Sequence, residues 1–384
     1  MTQRAQWIFV AAASAVLFVA VARAQQTAAP APAPAPGGQA PALNAPCGGR
    51  SQMPTAACPD DVTKMIATLG LLPDKPPATP LKPRKVLIWS RIPSSGYQHS
   101  SIPLAARMIE AIGMKTGAWT SATSWDVTDI NADNLKQYDA IFLSNTTGRF
   151  LDDTNDAAIT ASRRAALLDF IRGGKGIAGI HATGDSYHGR TGGPAARGAA
   201  GAPRAGGAPG AARGPAPPCT SNNPTPGGGG GDPLWPEWIQ IIGGYFKFHW
   251  LYPTPITVKI DDPNNPINAA FKGKSFNVID EVYTFGETSF SRENVRVLTS
   301  IDYDKMTDCD KGLESSPRPD HDYGLSWIRR EGQGRLFYQA LGHHESIYYN
   351  NPAMLAHILA GMQYALGDLK ADDSPSRKPS AATK

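Results

Sequence analysis

Residues 139–181 read DAIFLSNTTGRFLDDTNDAAITASRRAALLDFIRGGKGIAGIH. Two short apolar runs, 139–144 and 175–181, bracket a segment that carries Ile159, Ala166, Leu167, Phe170 and Ile171 along one helical face. Thr154 is placed to cap that helix and Gly173-Gly174 to stop it. Runs apolar at nearly every position are strands covered on both faces, and such strands are parallel and joined by crossover helices. The segment therefore predicts one strand–helix–strand unit of an open parallel sheet.

The same pattern continues outward. Upstream, 85–90 (KVLIWS) is a further buried strand. Ser100 or Ser101 then caps a helix with Pro103 in its first turn, Leu104, Met108, Ile109 and Ile112 on one face, and Gly113 as its end. A further short strand is expected at 115–120. Downstream, a short helix at 235–243 precedes strands at 255–260, 281–286, 295–300, 324–329 and 334–341, and a helix at 352–366 closes the fold. These elements are expected to extend the same sheet and to add antiparallel edge strands. The fold class is thus α/β, a doubly wound sheet.

The chain has 384 residues, with 37 Lys+Arg against 33 Asp+Glu. That near balance, without a basic stripe, excludes a nucleic-acid binder. Much of the 39 Gly and 34 Pro lies in 25–46 and 189–231, segments too poor in large apolar groups to offset chain entropy. Residues 1–24 have the pattern of a signal peptide: Arg4, an apolar run from Trp7 to Val21, and Ala22-Arg23-Ala24 as the cleavage site. The expected organisation is a signal peptide (1–24), a Pro/Ala-rich linker and N-terminal extension (25–84), one domain (85–367) with a low-complexity insertion (189–231), and a polar tail (368–384). The expected location is periplasmic or secreted, with no membrane contact after cleavage. Export permits disulfides, and the preferred pairing of the four cysteines is Cys47–Cys58 with Cys219–Cys309.

Several motifs fail on context. Gly174, Gly176 and Gly179 match G-x-G-x-x-G but run into a strand, where a dinucleotide site needs a turn. His344-Glu345 opens an H-E-x-x-H whose second histidine position is Tyr348. The surviving signal is positional. His99 follows the first strand, His181 closes the 175–181 strand, and His343 follows the 334–341 strand. Ligands of open parallel sheets bind beyond the carboxyl ends of the strands. Convergence of these imidazoles would give a polar centre for proton transfer, or a site for a divalent metal such as zinc. Glu281 and Asp185 are candidate acid–base partners; Asp280 and Glu281 are adjacent, so a regular strand turns only one of them inward. Tyr97, His249 and Tyr283 are candidate substrate-binding groups. His188, His321 and His357 read as surface, insertion-border or packing residues.

Five segments carry a family resemblance. Gly96-Tyr97-Gln98-His99-Ser100-Ser101-Ile102, Gly179-Ile180-His181-Ala182-Thr183-Gly184-Asp185, Gly243-Gly244-Tyr245-Phe246-Lys247-Phe248-His249, Asp280-Glu281-Val282-Tyr283 and Ala340-Leu341-Gly342-His343 resemble, in this order, motifs of the ThuA-like trehalose-utilisation family. The resemblance covers 85–367. It implies a class I glutamine amidotransferase-like fold, flavodoxin-like in layout. His181 occupies the turn where amidotransferases of that fold carry their cysteine nucleophile, so thiolate chemistry there is excluded. The resemblance further implies a small-molecule carbohydrate, a disaccharide or keto-sugar, as substrate of a hydrolase or isomerase. A non-catalytic sugar-binding module or a cell-envelope scaffold is the alternative.

Overall fold

The computed structural model describes residues 62–93, 96–189, 219–221, 232–314 and 316–376. The expected signal peptide, the Cys47–Cys58 pairing and most of the insertion lie outside these residues. Among the described residues no helix is long and apolar enough to cross a membrane.

The strands are β1 (Lys85–Trp89), β2 (Thr120–Ser124), β3 (Ala140–Leu143), β4 (Gly176–Ile180), β5 (Phe246–Ile260), β6 (Phe276–Phe285), β7 (Arg296–Ile301), β8 (Gly324–Glu331) and β9 (Gly334–Gln339). They form one sheet in the order β2-β1-β3-β4-β9-β8-β7-β5-β6. The pairings β2–β1–β3–β4–β9 are parallel and those from β9 to β6 antiparallel. This is the flavodoxin-like α/β fold with an antiparallel extension. The helices are α1 (Val62–Leu71), α2 (Ile102–Thr116), α3 (Ala132–Leu135), α4 (Ala157–Arg172), α5 (Pro236–Ile242), α6 (Asp308–Lys311), α7 (Ser346–Tyr349) and α8 (Pro352–Leu366).

Some boundaries fall a few residues from where the local signals place them. Gly113 lies inside α2, where a Cβ would come within 2.4 Å of the Trp119 ring; the helix runs on to Gly117, whose φ of +68° ends it. The strand expected at 115–120 forms at 120–124 instead, since 115–116 complete that helix. The cap of α4 is Asp156, which accepts from the backbone N–H groups of Ala158 and Ile159, rather than Thr154. Ile159 is exposed, whereas Ala166, Leu167, Phe170 and Ile171 are buried.

The Cys219–Cys309 disulfide forms. Asp310 adds to this staple by accepting from the backbone N–H groups of Thr220 (3.0 Å) and Ser221 (2.9 Å). Residues 368–376 run back along the domain, with Asp368 paired to Arg84 and Asp373 to Arg330 and Tyr364.

His357 of α8 is wholly buried, its Nδ1 3.1 Å from the carbonyl of Ile267 and its Nε2 3.2 Å from Ser326 Oγ. Nδ1 therefore donates, Nε2 accepts, and the ring is neutral. Burial lowers its pKa from 6.5 to about 4. Because the folded value lies below the unfolded one, the contribution to stability is complete above pH 6.5 and is lost as pH falls toward 4. Its size is roughly 3 kcal/mol. Urea unfolding at pH 7 and pH 4.5 should show a smaller acid-induced loss in His357→Leu than in the wild type.

Candidate metal centre

At the end of β4 the chain turns abruptly. His181 has φ +39°, a left-handed value unfavourable for a side chain with a Cβ, and starts a 3-10 turn, His181–Asp185. Three contacts hold the turn. Tyr338 Oη donates to the His181 carbonyl (2.6 Å), Thr183 Oγ1 to the Leu143 carbonyl (3.2 Å), and Ala182 N to Asn145 Oδ1 (3.3 Å). The Tyr283 ring lies against the imidazole at 4.1 Å between centroids. His181 Nδ1 sits 2.8 Å from the carbonyl of Ala340. A carbonyl only accepts, so Nδ1 carries the proton and Nε2 presents its lone pair.

His343 reaches the same point from the end of β9. Gly342, at φ +125°, reverses the chain, and a Cβ there would lie 2.5 Å from Tyr348 Oη. Asp280, fully buried, accepts from Gly342 N (2.6 Å) and His344 N (2.8 Å), while Ser101 Oγ and Tyr348 Oη donate to the Gly342 carbonyl. Gly342→Ala is expected to lower stability by about 2 kcal/mol or more through backbone strain and this clash. It should also displace His343 from the other imidazoles; urea unfolding and imidazole NMR check the two effects.

His99 arrives from the loop between β1 and α2, at the place where the strand order reverses between β1 and β3. Its ring lies 5.0 Å from that of His181 and 5.0 Å from that of His343, and those two are 5.3 Å apart, all three nearly perpendicular.

Glu281 closes the group from β6. Val282 pairs with Trp250 and Asp280 with Thr254, so Leu251, Tyr252 and Pro253 of β5 all face the single residue Glu281. This bulge breaks the regular alternation, and both acidic residues become buried: Asp280 grips the 342–344 backbone and Glu281 enters the centre. Glu281 Oε1 is 3.5 Å from His181 Nε2, 3.4 Å from His343 Nδ1 and 3.1 Å from His249 Nδ1.

One ligand atom from each of His99, His181, Glu281 and His343 lies within 4.8 Å of the others. Tetrahedral zinc with bonds of about 2.1 Å sets its ligand atoms roughly 3.4 Å apart, close to the spacings around Glu281. His99 Nδ1, His181 Nε2 and His343 Nδ1 are buried and lack a hydrogen-bond partner. Burial lowers His99 well below its ordinary value, helped by the neighbouring imidazoles, and keeps it neutral, the form that binds a metal. Burial alone would raise Glu281, but the imidazoles of His181, His249 and His343, wherever one of them turns a proton toward Oε1, outweigh it and hold the carboxylate ionised. Burial likewise opposes a charge on His343, yet Glu281 raises its pKa. The arrangement demands a cation at its centre, a metal or a proton.

The sequence model of the ThuA family, described as trehalose utilisation, matches residues 85–205 and 227–365. The chain belongs to the ThuA family. No curated protein matches it significantly. Among solved structures, a ThuA-like protein from Bacteroides uniformis is similar at 17% identity over 75% of this chain and 94% of that one, with a TM-score of 0.48. A ThuA-like protein from Parabacteroides merdae is similar at 15% identity, over 76% and 93%, with a TM-score of 0.45. A cytoplasmic protein from Salmonella typhimurium follows at 11%, over 73% and 98%, with 0.42.

In this ThuA-family chain the residues singled out from sequence fall at three depths. His99, His181, His343 and Glu281 meet at one point. His249 touches Glu281 from outside that group, and Tyr97, nearly half exposed, sets its ring 4.8 Å from His99. Tyr283, expected to bind substrate, is buried against His181. Asp185 is apart from the ligand group and engages Thr147 Oγ1 (3.1 Å) and His188 Nδ1 (2.6 Å). Sequence reasoning missed the gripping role of Asp280 and the partnership of His188; only the i,i+3 spacing from Asp185 hinted at the latter.

Proposed function

We propose that this ThuA-family protein is an exported, metal-dependent enzyme of disaccharide or keto-sugar breakdown, with a divalent ion such as zinc held by His99, His181, His343 and Glu281. The observation that carries the reading is the pairing at its heart. The His181 tautomer fixed by Ala340 turns a buried lone pair on Nε2 toward Glu281 Oε1, 3.5 Å away, and two acceptors face each other comfortably only with a cation between them.

A bound ion would polarise a sugar carbonyl as a Lewis acid. That favours a keto-glycoside, whose carbonyl acidifies the neighbouring C–H. Loss of that proton opens a route both to expulsion of the glycosidic oxygen, a net hydrolysis, and to isomerisation. Tyr97 at the exposed rim supplies an aromatic face for a sugar ring. That exposed ring also supports the second reading, a sugar-binding module without turnover. Elemental analysis of the purified protein, with product formation from disaccharides and 3-keto-glycosides, tests the proposal. About one ion per chain and turnover that disappears on chelation support it. Binding by calorimetry without product would favour the module, and no metal with no turnover would remove the enzyme reading.

A further inference from the structure

His188 lies at the border of the insertion, outside the ligand group, yet its position is not that of an ordinary surface histidine. Its Nδ1 is 2.6 Å from Asp185 Oδ1 and 2.8 Å from the Asp185 carbonyl, and the other carboxylate oxygen of Asp185 accepts from Thr147 Oγ1. The Asp185 carbonyl accepts from Nδ1 and fixes the proton there, with the carboxylate oxygen close beside it as a charge, so Nε2 is the nitrogen that takes up or releases a proton. Asp185 ends the same 3-10 turn that His181 begins, so one rigid segment sets both the metal ligand and the carboxylate that orients His188. The imidazole lies 5.6 Å from the Phe246 ring, and Phe246 lies 4.8 Å from Tyr283 and 5.5 Å from His249, the residues that flank the centre. About a quarter of the His188 side chain is exposed, so protons can exchange with solvent.

We propose that His188, oriented by Asp185, is the acid–base residue of the site, a role that rests on the keto-sugar reading above. Nε2 takes the proton from the carbon beside the sugar carbonyl. The C–H electron pair forms a carbon–carbon double bond and the carbonyl oxygen becomes anionic. In isomerisation the hydroxyl on the deprotonated carbon gives its proton to the anionic oxygen and becomes the new carbonyl, while the proton held on His188 returns to the former carbonyl carbon. In hydrolysis the bond between the anomeric carbon and the glycosidic oxygen breaks, His188 protonates the departing oxygen, and one water adds across the remaining double bond. No oxidant or further co-reactant enters.

The test uses the full chain loaded with zinc, as wild type, His188→Gln and Asp185→Asn. Deuterium uptake from D2O into a 3-keto-glycoside, followed by NMR across pH, should fall roughly 100-fold or more in His188→Gln, with loss of the acidic limb of the profile. Asp185→Asn should lower it less, by displacing that limb. Both variants should keep about one zinc per chain, which separates this role from metal binding. Wild-type exchange and an unchanged profile in His188→Gln would overturn the proposal. If the zinc-loaded wild type exchanges no keto-glycoside, the keto-sugar reading fails, and the dyad is judged by imidazole NMR with acetohydroxamate, a mimic of the anionic intermediate. A His188 shift that depends on zinc keeps the acid–base role for another carbonyl substrate, and no shift overturns it.

Discussion

His181→Ala is expected to reduce bound metal from about one ion per chain to a few hundredths and to bring turnover to background. The tautomer of this imidazole is set by the Ala340 carbonyl, directly after β9, so its loss removes both a donor and the geometry that aims it. The metal-free fold should survive, because the sheet, the β6–β9 side of the site and the Asp280 grip on residues 342–344 do not depend on the ring. Thermal unfolding makes the distinction. The wild type should gain stability with added zinc, as any ligand of the native state produces, and His181→Ala should show no gain at the same concentration. Elemental analysis gives the stoichiometry. A zinc-dependent rise in the variant equal to that of the wild type would mean that the ion binds elsewhere.

Glu281→Gln is the second large effect. The amide keeps the shape of the side chain and removes the one negative charge at the meeting point of His181, His249 and His343. Zinc affinity should fall by roughly 100-fold or more, beyond the loss usual for a residue that merely orients a ligand. The pH dependence should change as well. In the metal-free wild type, burial disfavours a charge on His343, but Glu281 raises its pKa, so this ring holds its proton to higher pH than usual. Without the carboxylate it should lose its proton at lower pH. Imidazole NMR across pH 5–9 reads this directly. In both proteins zinc binding should weaken as pH falls through about 6.5, because protons compete for the same nitrogens.

Much of this was legible in the sequence, and the reasons are local. The 139–181 unit declared itself because buried parallel strands are apolar throughout and their helix is amphipathic, and the helix expected at 352–366 forms as α8, with Pro352 at its start and Gly367 as its cap. The histidines at the ends of β1, β4 and β9 could be assigned to one crevice because strand direction alone fixes which end of a parallel sheet they occupy. What stayed hidden depends on long-range contacts. Gly113 is a packing glycine against Trp119, which no local rule separates from a helix end. The alternation rule allowed one inward residue of Asp280 and Glu281; the β5 bulge opposite Glu281 lets both serve. His188 read as a border residue because its partnership with Asp185 needs the turn after β4 to be folded.

Anomalous diffraction at the zinc edge, from crystals of the full chain grown with zinc at neutral pH, addresses the central claim most directly. One strong peak is expected within about 2.1 Å of nitrogens from His99, His181 and His343 and of a Glu281 oxygen. A well-ordered centre with no peak there, and the imidazoles joined to Glu281 through protons alone, would contradict it.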